Sequence, residues 1–174
     1  MMSLTIHVTD GETGWPLSER LDREVYPPEV MAGIVWKDVV WAHADWRIFA
    51  RLDGEPVTHV GLYLRDAKDD GRSVRIGGIG GVLTLAEARG RGCAGAAMRK
   101  AAETMHAQAC DFGLLFCEGG NVALYEHLGW RLFVGAVFCE QPQGRIKFDL
   151  LHTMILPVAG VPQGSTIDLC GLPW

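Results

Sequence analysis

The pattern of hydrophobic and polar residues predicts strands and helices that alternate along the chain. Hydrophobic residues at every second position, or in short continuous runs, indicate strands, whereas hydrophobic residues three and four positions apart indicate helices. The predicted strands span residues 4–8, 46–52, 56–65, 73–85, 112–117, 130–139 and 145–155, and the predicted helices span residues 16–26, 29–41, 96–108 and 121–128. This mixture predicts an α/β fold. The last nineteen residues contain three prolines and three glycines, which predicts an extended tail.

Glycines mark two places in the middle of the chain. Asp53-Gly54 separates two predicted strands, and this pair favours the tight turn of a β-hairpin. The predicted strand 73–85 contains four glycines between residues 77 and 81. Glycines inside a strand indicate a bulge or another segment that passes close to the backbone.

The most informative segment is a glycine-rich loop between strand 73–85 and helix 96–108. A strand, such a loop and a helix N-terminus together present unpaired backbone N–H groups to a phosphate. Each hydrogen bond to a charged group contributes about 1.5–3 kcal/mol, so several N–H groups outweigh any single side chain. We therefore expect a pyrophosphate to bind at Arg89, Gly90, Arg91, Gly92, Cys93, Ala94 and Gly95.

Two cofactor classes use a loop of this kind. Gly90-x-Gly92-x-x-Gly95 fits the fingerprint of a dinucleotide-binding fold, and Glu118 follows a second hydrophobic strand, as that fold requires. However, residues 86–89 separate the first strand from the loop, and four strands and two helices precede it. A nicotinamide-dependent oxidoreductase therefore remains the weaker alternative.

The loop and its flanks resemble the GNAT superfamily of acyl-CoA N-acyltransferases. The resemblance is carried by Val82-Leu83-Thr84-Leu85, by Arg89-x-x-Gly92-x-Ala94, and by Leu124-Tyr125 with Gly129-Trp130 about thirty residues later. It implies acetyl-CoA as the cofactor. It also implies a mixed, mostly antiparallel sheet that splits at its centre, with helices on both faces, in a single domain over residues 1–174.

The same resemblance implies roles for individual residues. The pantetheine arm would lie between strands 81–84 and 112–117 and pair with the main chain of Val82, Leu83 and Thr84. Tyr125 would protonate the departing thiolate. Many members carry an acidic residue before the loop, where this chain has Ile76-Gly77-Gly78-Ile79-Gly80-Gly81. Glu118 is the nearest substitute as general base, and His59 and His127 are poorer candidates.

A narrower likeness links the chain to aminoglycoside 2′-N-acetyltransferases. It implies that Asp168 and the carboxylate of Trp174 hold a cationic sugar, although Gly80 stands where that group has an acidic residue. Trp36, Trp41 and Trp46 fall in the segment that would roof the acceptor site, so they are candidates to line a pocket for a bulky or aromatic molecule.

Composition excludes several other classes. The net charge of −5 and the absence of a Lys/Arg block argue against nucleic acid. No apolar run is long enough for a membrane, the N-terminus shows no leader, and five irregularly spaced cysteines indicate no metal site, so we expect a cytoplasmic protein.

The function we predict is direct transfer of an acetyl group to the primary amine of a neutral or cationic small molecule, within a ternary complex. A non-catalytic acyl-CoA-binding sensor or partner domain is the alternative. A homodimer is left open.

Overall fold

Ten strands and four α-helices alternate along the chain in the computed structural model, which describes all of residues 1–174. The strands are β1 (Leu4–Asp10), β2 (Trp46–Leu52), β3 (Glu55–Asp69), β4 (Arg72–Thr84), β5 (Phe112–Cys117), β6 (Arg131–Phe133), β7 (Ala136–Gln141), β8 (Gly144–Lys147), β9 (His152–Pro157) and β10 (Thr166–Asp168). The helices are α1 (Trp15–Val25), α2 (Pro28–Met31), α3 (Cys93–Ala107) and α4 (Val122–His127).

Two Asp-Gly pairs join β2, β3 and β4 into consecutive hairpins. Asp53 and Gly54 have φ angles of 49° and 87°, and Asp70 and Gly71 have φ angles of 44° and 82°. Positive φ at both central residues is the signature of a two-residue hairpin turn, because its twist matches that of the flanking strands. The predicted hairpin at Asp53-Gly54 is confirmed.

The sheet is mixed and splits at its centre, as expected. Seven of the nine strand pairs are antiparallel. The main path runs β6-β9-β5-β4-β3-β10-β7-β8, and β1 and β2 continue from β3. The parallel pair β4–β5 begins at Ile76 with Phe112 and stops at Ile79 with Leu115. Beyond these residues the two strands diverge and leave a split.

Helices cover both faces of the sheet. Along β2, Ile48 and Ala50 lie in the core that includes α3, whereas Phe49 between them packs with Leu21 of α1. Side chains alternate across a strand, so α1 and α3 lie on opposite faces. Ala97 and Ala101 of α3 are fully buried, and their small side chains let this helix approach the sheet closely. The predicted α/β class is confirmed.

The predicted helix 29–41 is wrong beyond Met31, where α2 ends. Gln141 Nε2 donates a hydrogen bond to the carbonyl of Val40 at 2.8 Å, and Gln141 Oε1 accepts one from the N–H of Val40 at 3.0 Å. The N–H of Ala42 donates to the carbonyl of Pro173 at 2.7 Å. These tertiary partners replace the hydrogen bonds that a helix would have made.

Two predicted strands are each interrupted. Segment 130–139 divides into β6 and β7 at Gly135, where a Cβ atom would overlap the carbonyl oxygen of Ser165. Segment 145–155 divides into β8 and β9 around residues 148–151. The tail is extended, as predicted, but it also contributes β10, which joins β3 to β7.

Candidate active site

The glycine-rich loop presents free backbone donors. None of the N–H groups of residues 91–95 has a hydrogen-bond acceptor within the protein. Gly92 precedes α3 with a φ of 78°, and a Cβ atom on Gly90 or Gly92 would meet nothing within 4 Å. The space in front of the helix N-terminus is therefore open. Arg89 and Arg91 are exposed beside it, whereas the Cys93 side chain is buried in the core.

The adjoining edge of β4 also has free main-chain groups. β4 pairs with β3 from Arg72 to Thr84, apart from a bulge at Gly81 and Val82, but with β5 only as far as Ile79. Leu85 donates its N–H to β3. Alternation then points the main-chain groups of Val82 and Thr84 away from β3 and into the split. The Thr84 carbonyl accepts a hydrogen bond from Arg89 Nε at 3.3 Å, so the free groups are those of Val82 and the N–H of Thr84. Leu83, between them, buries its side chain beneath α1.

The split opens into a cavity of about 440 Å³ with aromatic walls. Trp36 and Trp41 contact edge to face with ring centroids 5.9 Å apart, and Tyr63 stacks on Trp174 at the same distance. These walls suit an apolar or aromatic body with a few polar groups. The aromatic residues that line the cavity are Trp15, Tyr26, Trp36, Trp41, Tyr63, Phe116, Tyr125 and Trp174.

Two residues expected at the acceptor site lie elsewhere. Trp46 does not line the cavity, because it packs against the core on the α3 side of the sheet. Asp168 is also outside it. Its carboxylate accepts a hydrogen bond from Arg145 Nε at 2.6 Å and another from the N–H of Cys170, and these contacts hold its pKa below the usual value despite partial burial. The indole of Trp174, by contrast, lies directly over Gly78 and donates to the Leu114 carbonyl.

Tyr125 lies in the wall of the cavity and is almost completely buried. Every fully buried side-chain oxygen or nitrogen of the protein has a hydrogen-bond partner. The hydroxyl of Tyr125 makes no hydrogen bond within the protein, so it is not fully buried. The hydroxyl is therefore open to the cavity. Burial raises the pKa of Tyr125, and the nearby Cys117 and Tyr26 raise it further. Tyr125 thus remains a neutral phenol, which can donate a proton.

Three acidic side chains line the same cavity: Glu19, which pairs with Arg23, and two carboxylates without an ion pair, Asp22 and Glu118. Glu118 follows the last residue of β5 and is exposed. Asp22 of α1 is also exposed, although desolvation by its surroundings, together with the charge of Glu19, raises its pKa. Both carboxylates raise the pKa of Tyr26, so they lie near each other around that ring. His127 is exposed and does not line the cavity.

His59 is held in one neutral form at the base of the split. Its Nε2 lies 3.2 Å from Arg47 Nη1, which only donates, so Nε2 accepts and Nδ1 donates to the carbonyl of Gly81 at 2.7 Å. Burial lowers the pKa of His59 to about 4. The charge of Arg47 lowers this pKa further, whereas the hydrogen bond to the Gly81 carbonyl raises it. With both nitrogens engaged, His59 fixes the bulged backbone at Gly81 and is unsuited to act as a base.

The sequence did not single out Arg47 or Asp22. A signal for each exists, however. Arg47 alternates with Phe49 on the buried face of a strand, where a charged residue is unusual. Ser18, Asp22 and Tyr26 are four residues apart on α1, and all three line the cavity.

Comparison with protein families decides the classification. The sequence profile of a family described as an acetyltransferase (GNAT) domain matches residues 12–133, well over half of the chain. This protein belongs to the GNAT family. The match confirms the resemblance found in the sequence, together with coenzyme A as the class of cofactor. No curated protein sequence matches this GNAT protein.

Solved structures share the fold of this GNAT protein at low sequence identity. Escherichia coli YhbS, a GNAT N-acetyltransferase crystallised with CoA, is 14% identical with a TM-score of 0.65, and the match covers 98% of this chain and 91% of that one. An acyl-CoA N-acyltransferase from Pseudomonas aeruginosa is 19% identical with a TM-score of 0.60, over 88% and 99% of the two chains.

A probable N-acyltransferase from Enterococcus faecalis is longer. It is 16% identical with a TM-score of 0.59, and the match covers 75% of this chain but only 33% of that protein. The GNAT protein therefore spans about a third of that relative's length. Among its own helices, none has the length and apolar character that a bilayer crossing requires.

Proposed function

We propose that this GNAT protein transfers an acetyl group from acetyl-CoA to the primary amine of a small molecule. The chain is proposed to act as a single acyltransferase domain over residues 1–174. The observation that carries the proposal is the run of unpaired N–H groups at residues 91–95, next to a split that leads to a cavity containing a buried tyrosine. That combination suits a diphosphate with a long arm attached.

The cofactor fits between the loop and the free edge of β4. The N–H groups of Arg91 to Gly95, with Arg89 and Gly90, would hold the diphosphate at the positive end of α3. Main-chain groups of Val82 and Thr84 would pair with amides of the pantetheine arm, with Leu83 keeping the strand in place. Bound acetyl-CoA supplies the acetyl thioester that an amine attacks.

Proton transfer is assigned to two side chains. Glu118 would accept the proton of the attacking amine, directly or through water. Tyr125 would donate its hydroxyl proton to the sulfur, because burial keeps it protonated at neutral pH. The amine would attack directly in a ternary complex, and no residue of the cavity needs to carry the acetyl group. Cys117, which lines it, has its pKa raised to about 11 by burial and by Glu118, so its thiolate is scarce.

The test is acetyl transfer from acetyl-CoA to a panel of small primary amines, followed by mass spectrometry of the product. The matched variants are Tyr125→Phe and Tyr26→Phe, because both tyrosines line the cavity and have raised pKa values. We expect Tyr125→Phe to lower kcat on the order of 100-fold. Tyr26→Phe should change it by less than about tenfold, as expected for a residue that transfers no proton.

The outcomes separate the candidate functions. Equal activity of the two variants would remove Tyr125 from the chemistry. CoA binding without acetylation of any amine would contradict the enzyme and favour an acyl-CoA-binding sensor. Binding of NAD but not of CoA would contradict the whole proposal.

A further inference from the structure

A buried cation without an anionic partner lies in the wall of the cavity. Arg47 is only 4% exposed, yet no carboxylate of the protein lies within 4 Å of its guanidinium. A buried charge is costly unless it is paired. The six ion pairs of the chain all involve other residues. Arg47 is therefore a buried positive charge that forms no ion pair within the protein.

The contacts of Arg47 fix its position and leave one edge free. Its Nε donates to the carbonyl of Gly11 at 2.7 Å, its Nη1 donates to His59 at 3.2 Å, and its plane lies over Trp15 with the central carbon 4.9 Å from the ring centroid. Nη2 makes no hydrogen bond within the protein. Because every fully buried side-chain nitrogen has a partner, Nη2 is open to the cavity.

The guanidinium is far from the diphosphate loop in the fold. Arg47 lies under α1 on the face of the sheet opposite α3, whereas the loop lies at the N-terminus of α3. The cofactor phosphates therefore have their own donors. An anion that pairs with Arg47 would therefore belong to the acceptor.

The acceptor side also contains negative charge. Asp22 and Glu118 line the cavity with Arg47, as does Glu19, which already pairs with Arg23 at 3.0 Å. A molecule with one cationic and one anionic group matches this arrangement. Its ammonium group would lie near Glu118, where it loses a proton before attack, and its anion would lie at Arg47.

We propose that the acceptor is an amino acid or a similar small amine that also carries a carboxylate, and that Arg47 binds this carboxylate. This inference rests on the proposed function for its chemistry. The geometry of the guanidinium suits a planar carboxylate, which accepts hydrogen bonds from adjacent N–H groups. The aromatic walls select a bulky or aromatic body between the two charged groups.

The first experiment uses the unaltered protein. L-phenylalanine and L-tryptophan are compared with their carboxamides, which keep the amine and the ring but lose the negative charge. Binding is measured by calorimetry with CoA present, and acetyl transfer is measured with acetyl-CoA. We expect the free acids to bind about 10- to 100-fold more tightly than the carboxamides, because this ratio corresponds to the contribution of a hydrogen bond to a charged group.

The second experiment replaces the cation. Arg47→Gln should abolish the preference for the free acid while leaving the affinity for CoA unchanged. Arg65→Gln is the matched control. Like Arg47, Arg65 stacks on an indole, with its central carbon 5.3 Å from the ring centroid of Trp174, and donates to a backbone carbonyl. Unlike Arg47, Arg65 does not line the cavity. The control should keep the preference.

The inference would be overturned if the free acids bound no more tightly than the carboxamides. This comparison needs no variant. Failure of every carboxylate-bearing amine to bind a protein that does bind CoA would overturn it too. If the free acids bind preferentially but no amine is acetylated, the carboxylate site stands and the proposed catalytic function fails.

Discussion

In the proposed reaction Glu118 is the base, although Asp22 also lines the cavity without an ion pair. We predict that Glu118→Gln lowers kcat by about 100-fold or more, since an amide cannot accept a proton from the amine. Asp22→Asn, which alters the other carboxylate, should lower kcat by less than about tenfold. Steady-state kinetics at saturating acetyl-CoA measures kcat for both variants.

A reversed ranking, with Asp22→Asn the more damaging, would assign the base to α1. Such a result would agree with the raised pKa of Asp22, which comes mainly from desolvation. It would leave the cofactor site and Tyr125 unaffected.

His59 gives the fold a specific dependence on pH. Its pKa is 6.5 when exposed and about 4 in the folded protein, mainly because of burial. The unfolded chain therefore binds a proton more readily, and stability from His59 is fully present above pH 6.5 and is lost as the pH falls towards 4. The difference corresponds to about 3 kcal/mol.

Urea unfolding of the protein and of His59→Gln, measured between pH 7 and pH 4, tests this dependence. Glutamine can accept from Arg47 and donate to Gly81 but does not titrate. We predict that the free energy of unfolding falls more steeply with acid for the natural protein than for the variant. Parallel curves would show that His59 titrates normally.

The sequence predicted which residues lie beside the split where those residues belong to a local motif. Tyr125 lies in a segment with a characteristic spacing, and residues 89–95 form one continuous loop. Arg47, by contrast, contacts Gly11 and His59, which are 36 and 12 residues away in the chain. No local pattern predicts those contacts, and the same limitation placed Trp46 and Asp168 at the wrong site.

At the scale of elements, the loop before α3 makes a direct prediction. Gly92 and Gly71 both have φ near 80° and open space around an added Cβ, so Gly92→Ala and Gly71→Ala should cost similar stability, roughly 1–2 kcal/mol. Only Gly92→Ala places a methyl group in front of the free N–H groups. We expect it to weaken CoA binding about tenfold or more by calorimetry, and Gly71→Ala to leave binding unchanged.

Equal CoA affinities for these two variants would mean that the diphosphate does not approach Gly92. Because both substitutions impose the same backbone strain, a loss of folding alone would weaken both proteins to a similar extent.

Elements with strong local signals were predicted well. The Asp-Gly turn and the small-residue face of α3 are properties of short segments, and both are confirmed. Segment 29–41 has a helical pattern, yet Gln141 binds the main chain of Val40 from 101 residues away, and Pro173 binds that of Ala42 just beyond the segment. Gly135 likewise ends a strand because another segment crosses there. Tertiary contacts override propensity at both places.

At the scale of the whole molecule, the cavity exists because distant segments converge on the split between β4 and β5. Its wall combines α1, the segment around Trp36 and Trp41, four strands (β2, β3, β4 and β5), α4 and Trp174. The split itself was expected from the family resemblance. The sequence indicated that a cavity would be aromatic, but not that Trp15 and Trp174 would complete it.

The central claim is that the main chain of residues 91–95 holds the diphosphate of coenzyme A. Its most direct test is a titration of ¹⁵N-labelled protein with CoA, followed by amide chemical shifts, with NAD as the comparison ligand. We predict that CoA shifts the amides of Arg91 to Gly95 most strongly, together with those of Val82 and Thr84, and that NAD does not. CoA binding that leaves the amides of residues 91–95 unmoved, or the same shifts with NAD alone, would contradict the claim.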